Sequence, residues 1–351
     1  MEYKSPLSVR GDYFYCPLCF SLDSYWMCEY DCPVCFLRRL NRVWGTDQRV
    51  ADPEKVRKKL ARPPKNPKSL VAWMIRLKKT IRFGNKSDPF QKSTERQYRV
   101  SRRMLEVLRD LEWSVVLQTK TTEVVLEYMD ILKGFPPGYV VVMPVISPGG
   151  DKDWEVLEDS GPTPPSQRLE DLGFLRREGI SVGVNGEPFI PGYHTLEDFR
   201  EMMKLLKSHG ISTYNTYNLH LNPHVARRLV EKGLDLEKIW YMNQDPQWRK
   251  ILPELIQIAE EEGIELGCPD FVNSGRYCGR ANTCCGVDVP NPCRFNTHFW
   301  KRLLVEGKDP EAVVEETWEG YGDRELGERI VRGEPSDEIY TMGDVDGLLG
   351  G

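Results

Sequence analysis

Apolar positions along this chain follow two alternating rhythms. Short strand-forming runs at residues 80–83, 113–118, 139–146, 180–185 and 211–217 are separated by stretches with apolar residues every three to four positions, the period of one helix face. Val100, Met104, Leu105 and Leu108 mark one such face and Leu169, Leu172 and Leu175 another, with further helices expected over 122–132 and 196–207. Strands spaced by helical segments of ten or more residues predict βα units and a parallel sheet, so the expected class is α/β, a barrel or part of one. The run 139–146 is apolar almost throughout, as a parallel strand covered on both faces should be. Residues 61–69, ARPPKNPKS, and 147–166, rich in Gly, Pro and acid, predict surface loops.

Composition narrows this picture. With 351 residues, 40% hydrophobic and 29% charged, the chain is long enough for a real core and too apolar for disorder. Its longest strongly apolar run, eight residues at 139–146, falls well short of the roughly 20 of a membrane helix. The first residues, MEYKSPLSVRGDYF, lack a basic segment followed by an apolar one, so a cytoplasmic location with no membrane partner is expected. Net charge is -5, yet residues 36–110 hold 22 Lys and Arg against 7 Asp and Glu, while 303–351 hold 14 acidic and 4 basic residues. Such asymmetry suggests a polyanionic partner for the basic part, or a solvated helix face.

Ten cysteines fall in two clusters, Cys16, Cys19, Cys28, Cys32 and Cys35, then Cys268, Cys278, Cys284, Cys285 and Cys293. Clustered thiols in a long, apparently cytosolic chain point to metal or redox chemistry rather than disulfides. Two readings compete for the first cluster. Cys16, Cys19, Cys32 and Cys35 form two CxxC pairs, enough for a four-thiolate zinc site and a zinc-knuckle nucleic-acid-binding protein. Alternatively Cys28, Cys32 and Cys35 form a CxxxCxxC loop in which three thiolates hold a [4Fe-4S] cluster and leave one iron open. The second cluster has no standard zinc spacing. Cys268, Cys278 and Cys293 suit an auxiliary iron-sulfur cluster or a zinc site completed by Cys16 and Cys19, and Cys284 and Cys285 suit a redox-active pair. Of the histidines, His220 follows a polar strand and is expected at the site; His194, His224 and His298 read as core or surface residues.

The cysteine loop, Gly84-Asn85-Lys86-Ser87-Asp88-Pro89-Phe90-Gln91 and Gln118-Thr119-Lys120 occur in this order. With these motifs the chain resembles the radical S-adenosylmethionine (SAM) enzymes, and more narrowly spore photoproduct lyase and its DNA repair photolyase-like relatives, from the cysteine loop to about His220. The resemblance implies a partial (β/α)6 barrel over residues 28–245. Around it lie an N-terminal extension with a CxxC pair (1–27), a Cys-rich C-terminal extension (246–332) and an acidic tail (333–351). It implies a [4Fe-4S] cluster, SAM, a 5'-deoxyadenosyl radical and an electron donor such as flavodoxin or ferredoxin. Ser87 would contact SAM, Lys120 would pair with its carboxylate, Ser147 would add a third contact, Phe36 would pack on the adenine, and Asn185 and Glu187 would bind ribose or substrate. The lyases carry a hydrogen-returning cysteine shortly before the Ser-Asp step, where this chain has Asn85. Cys16, Cys19, Cys284 or Cys285 is then the candidate donor. The expected substrate is a nucleic-acid base or nucleoside, as in a phage-type thymine hypermodification or isomerisation; a peptide or small metabolite is the alternative.

Overall fold

The computed structural model describes residues 2–9, 16–35, 37, 47–65, 69–267, 283 and 285–292. Expectations for Phe36, Cys268, Cys278, Cys284, Cys293, His298 and the acidic tail lie outside these residues. The chain opens with β1 (Leu7–Val9) and β2 (Phe20–Leu22), followed by α1 (Pro53–Ala61), α2 (Leu70–Arg76) and β3 (Ile81–Phe83). Next come α3 (Lys92–Tyr98), α4 (Val100–Asp110), β4 (Val115–Thr119), α5 (Thr122–Leu126), α6 (Met129–Leu132), β5 (Val140–Pro144), α7 (Asp151–Leu157) and α8 (Pro165–Arg177). The remaining elements are β6 (Ser181–Val182), β7 (Val184–Asn185), α9 (Leu196–Ser208), β8 (Thr213–Asn215), α10 (Pro223–Glu231), α11 (Leu236–Met242), α12 (Asp245–Glu262) and β9 (Glu265–Gly267).

Strands β1 to β6 form one sheet in chain order, and only the β1–β2 pair is antiparallel. Strands β7, β8 and β9 form a second, parallel sheet. The two meet at Gly183, whose N–H donates to Val142 O at 3.1 Å, and at Ile146, whose N–H donates to Asn185 O at 2.8 Å. A Cβ on Gly183 would lie 2.6 Å from Val287 Cγ1, so glycine is needed for the 285–289 segment to approach. Residues 7–9 and 20–22, expected in an N-terminal extension, thus supply two strands of the sheet, and the cysteine loop leaves the C-terminal end of β2.

Alternate residues of a strand face opposite sides. Val115, Leu117, Val140 and Val142 pack into the large core with Met104, Leu105, Leu108, Leu169, Leu172 and Leu175 of α4 and α8. Val116, Val141 and Met143 face the other way and meet Leu18, Cys285, Val287 and Val289. Each fully buried side chain of this kind contributes about 1.5–3 kcal/mol, which is why β4 and β5 are apolar on both faces. Helix ends are set locally: a capping box of Thr195 and Asp198 starts α9, Asn222 caps α10 ahead of Pro223, and Gly263 at φ +75° ends α12. The stretch 147–166 departs from the expected surface loop: it forms α7 and buries Asp153, Leu157 and Glu158. Among the described residues, no helix is long and apolar enough to cross a membrane.

Candidate functional site

The C-terminal ends of the parallel strands converge on the cysteine loop, the edge where ligands bind in folds of this class. Nearly every residue between the cysteines is anchored. The Glu29 carboxylate accepts from Ser93 and Thr94 at the start of α3, at 2.7–3.1 Å, a favourable place for an anion. Tyr30 Oη lies 2.7 Å from Thr121 Oγ1, Asp31 pairs with Arg228 of α10 at 2.7 Å, and Val34 packs on Leu157, Leu219 and Val225. Gln91 grips the entry to the loop, accepting from Glu29 N–H at 2.6 Å and donating to Met27 O at 3.0 Å.

The Gly84–Gln91 turn is held just as tightly. Asp23 accepts from the N–H groups of Asn85 and Lys86 at 2.8 and 2.7 Å. Asp88 accepts from Phe90 N–H, Thr119 Oγ1 and Lys120 N–H at 2.6–2.8 Å, joining this turn to the end of β4. Gly84 has φ +99°, and a Cβ there would lie 2.4 Å from Gln118 O, so the turn admits only glycine.

Lys120 Nζ lies 3.9 Å from Cys32 Sγ and 3.0 Å from Glu158 Oε1. Glu158 is clamped in turn by Arg168, through Nη1 at 3.1 Å and through Nη2, and Arg168 Nη1 also donates to Val145 O at 2.5 Å. Arg168 is wholly buried and Glu158 nearly so. Burial works against the Lys120 charge, but Cys32 and Glu158 outweigh it and hold the ammonium above its usual range. Burial likewise opposes ionisation of Glu158, yet Arg168 and Lys120 keep its carboxyl below the usual range. Burial pushes the Cys32 thiol up to about 11 against the pull of Lys120, and raises Cys28 as well, with Asp88 adding to the effect.

The other expected site residues lie along the same edge with part of their bonding capacity already committed. Ser87 Oγ donates to Tyr25 O at 2.8 Å, and Ser147 Oγ donates to Asp153 Oδ2 at 2.6 Å. Asn185 Oδ1 accepts from Glu187 N–H at 3.1 Å. His194 is a satisfied core residue: Nε2 lies 2.8 Å from Asp153 Oδ2 and Nδ1 accepts from Ile190 N–H at 2.8 Å.

The remaining thiols lie elsewhere. Cys16 and Cys19 precede β2 at its N-terminal end, Cys19 fully buried in the large core and Cys16 packed against both apolar clusters. The strand separates them from Cys32 and Cys35. A zinc site with bonds of about 2.3 Å requires four sulfurs to converge, and among the described residues no three His, Cys, Asp or Glu side chains do so. The two CxxC pairs of that reading thus flank opposite ends of β2. Cys285 sits with Leu18, Val116 and Met143, on a segment tied to the start of β3 by the Thr80 N–H to Asn291 O bond of 2.8 Å. Cys285 thus packs in an apolar cluster toward the N-terminal side of the sheet. Among the described thiols, Cys28, Cys32 and Cys35 share the polar edge. A cluster in which each takes a different iron fits this donor set, because the three sulfurs need not meet at one point.

No protein-family model matches the chain. Over 105 residues, 30% of its length, it is 29% identical to the radical SAM Nalpha-GlyT isomerase of Pseudomonas phage M6, of which it spans 19%. Over 252 residues, 68% of its length, it is 24% identical to the uncharacterized protein ORF301 of Acidianus two-tailed virus, spanning 74% of that protein. The chain is similar to a radical SAM enzyme. SuiB of Streptococcus suis is a structural neighbour with TM-score 0.43. Its complex with S-adenosylmethionine is 16% identical, covering 62% of this chain and 47% of SuiB; its complex with precursor peptide SuiA is 15% identical, covering 58% and 40%.

Glu158 and Arg168 carry the ion triad beside Cys32, yet sequence reasoning placed one in a surface loop and the other on a generic helix. Asn215 was missed too. It is in register with Asn185 across β7 and β8, is 2% exposed, and its Oδ1 has no hydrogen-bond partner. A buried acceptor left unmade costs about 1–3 kcal/mol, which leaves Asn215 Oδ1 open to a further donor. The available signal was the polar strand end Asn215-Thr216 after a buried Tyr214. The basic stretch 36–110 resolves differently. Lys55 pairs with Glu2, Arg57 and Arg109 with Asp110, Lys92 with Glu123, Arg96 with Glu127 and Arg102 with Asp130, all at 2.6–3.1 Å. These six are a minority of the eighteen described Lys and Arg residues of the stretch, so the positive excess persists within it.

Proposed function

We propose that this chain is a radical SAM enzyme, cytoplasmic and of the spore photoproduct lyase-like branch, acting on a nucleobase by hydrogen abstraction. The observation that carries this reading is the Lys120 ammonium 3.9 Å from Cys32, inside a braced CxxxCxxC loop at the C-terminal edge of a parallel sheet. Cys28, Cys32 and Cys35 are the residues that would hold a [4Fe-4S] cluster, and Lys120 would bind the SAM carboxylate. When bound, the cluster, reduced by a flavodoxin or ferredoxin, would with SAM supply a 5'-deoxyadenosyl radical. The protein's part is to fix the loop, present Lys120 and the Asn185–Asn215 edge, and exclude water. We read β2, β3, β4, β5, the β6–β7 pair and β8 as the six strand positions of a partial (β/α)6 barrel. The phage relative's name supports isomerisation as the reaction class.

The test is anaerobic reconstitution with iron and sulfide, followed by SAM and a strong reductant. Brown protein that releases 5'-deoxyadenosine is expected. Colourless protein that leaves SAM intact would overturn the reading.

A further inference from the structure

A cleft of about 1110 Å³ opens between the loop that leaves β8 and helices α10 and α11. Its inner wall carries Tyr217, Asn218 and Leu219, and its outer wall Glu237 and Trp240. The cleft borders the cysteine loop: Leu219 and Leu221 belong to the apolar cluster that receives Val34, and Arg228 of α10 grips Asp31 at 2.7 Å.

The inner wall is rigid. Asn243 Nδ2 donates to Leu219 O at 2.8 Å, its Oδ1 accepts from Leu219 N–H at 3.1 Å, and Asn218 Nδ2 donates to Asn243 O at 3.2 Å. Tyr217 is fixed edge-on to Trp248, ring centroids 6.2 Å apart. Trp240 by contrast is 57% exposed, although tryptophan is highly buried on average. Among the described residues neither Lys nor Arg lines the cleft, and its ionisable residues are Glu237 and His220. The surface therefore suits a flat, neutral ligand that offers N–H donors and carries no phosphate.

We propose that this cleft seats the nucleobase of a neutral nucleoside, stacked on Trp240 with its N–H edge toward Glu237 and Asn218. This deepens the reading above and rests on it. A stack of this kind is sequence-tolerant and worth enough that its removal weakens binding about ten-fold or more.

Reconstituted enzyme is titrated by calorimetry with the four deoxynucleosides, their 5'-monophosphates and a tryptophan-containing tripeptide. At least one nucleoside binds, and binds more tightly than its monophosphate. Trp240→Ala weakens it about ten-fold, Trp240→Phe restores most of the loss, and Tyr241→Ala, outside the cleft, leaves it unchanged. Trp240→Ala keeps the wild-type circular dichroism and denaturant midpoint, which shows that this variant is folded, and Tyr241→Ala keeps the wild-type rate of SAM cleavage. No nucleoside binding, tighter binding of the monophosphate or the tripeptide, or affinity indifferent to Trp240 would each overturn the proposal. Wild-type enzyme that binds a nucleoside through Trp240 but never cleaves SAM would sink the radical SAM reading and leave the cleft assignment standing. Wild-type enzyme that cleaves SAM but binds no nucleoside would do the reverse.

Discussion

The two ends of the parallel strands carry the same reactive residue in opposite surroundings. At the C-terminal end, Cys32 faces Lys120, and the loop around it is tied down by Glu29, Tyr30, Asp31 and Gln91. At the N-terminal end, Cys19 and Cys285 are buried among leucine, valine and aromatic side chains, with Cys16 packed against them. The Lys120 ammonium near the first set opposes the upward push of burial on Cys32 and offers an anion a favourable partner. The second set packs against the two apolar clusters. What a cysteine does here is decided by which end of the strand it flanks, and β2 divides the two sets that share the N-terminal cluster.

The largest effect should come from the cysteine loop itself. Cys28→Ala, Cys32→Ala or Cys35→Ala is expected to abolish bound iron and SAM cleavage, whereas Cys19→Ala keeps both. Iron and sulfide content after anaerobic reconstitution reads this directly. Loss of iron in Cys19→Ala would break the division between the two ends.

Next in size is the ion triad. Arg168→Met leaves Glu158 buried with only Lys120, and losing one member of such a pair costs about 3–5 kcal/mol, a large share of the roughly 5–15 kcal/mol that holds a domain together. The denaturant midpoint should fall sharply. The double variant Arg168→Met, Glu158→Leu should recover part of it, because apolar groups of similar size replace buried ion pairs at little cost. A single variant as stable as the wild type would mean that the triad is already solvated.

Much of this architecture was readable in advance, for reasons that differ by element. Helix α4 announced itself because Val100, Met104, Leu105 and Leu108 repeat at helical spacing and all are buried. Strand β5 did so because both its faces are covered. Cys28, Cys32, Cys35 and Lys120 could be singled out because spacing and order within local motifs survive in one dimension. Strand β2 was not, since three residues are too few to show a period. Glu158 and Arg168 were not either. Their pairing joins α8 to the turn after α7, and Gly, Pro and acid around Glu158 resemble those of an exposed loop. The single helix expected over 122–132 breaks into α5 and α6 at Glu127 and Tyr128.

Lys120→Ala should be smaller in effect than loss of Arg168, because Glu158 keeps its arginine. Iron content is expected to stay at the wild-type level, while SAM affinity falls by about ten- to hundred-fold, the worth of a charge-assisted hydrogen bond of roughly 1.5–3 kcal/mol. Equilibrium dialysis against labelled SAM measures it. An unchanged dissociation constant would place Lys120 outside the site and leave the triad as a purely structural brace.

The smallest effect tests the apolar end. Cys285→Ala removes one buried sulfur from the cluster of Leu18, Val116, Val141, Met143, Val287 and Val289, a change about the size of a methylene and worth about 1 kcal/mol. Cys285→Ser puts a hydroxyl into the same apolar packing and should cost more, about 1–3 kcal/mol. Neither should alter iron content, SAM cleavage or turnover once the protein is folded, so midpoint and activity are measured on the same samples. A hydrogen-returning thiol would give the opposite pattern: stability nearly unchanged, SAM still cleaved, and product formation lost in Ala and Ser alike. That result would put chemistry at the end of the sheet assigned here to packing.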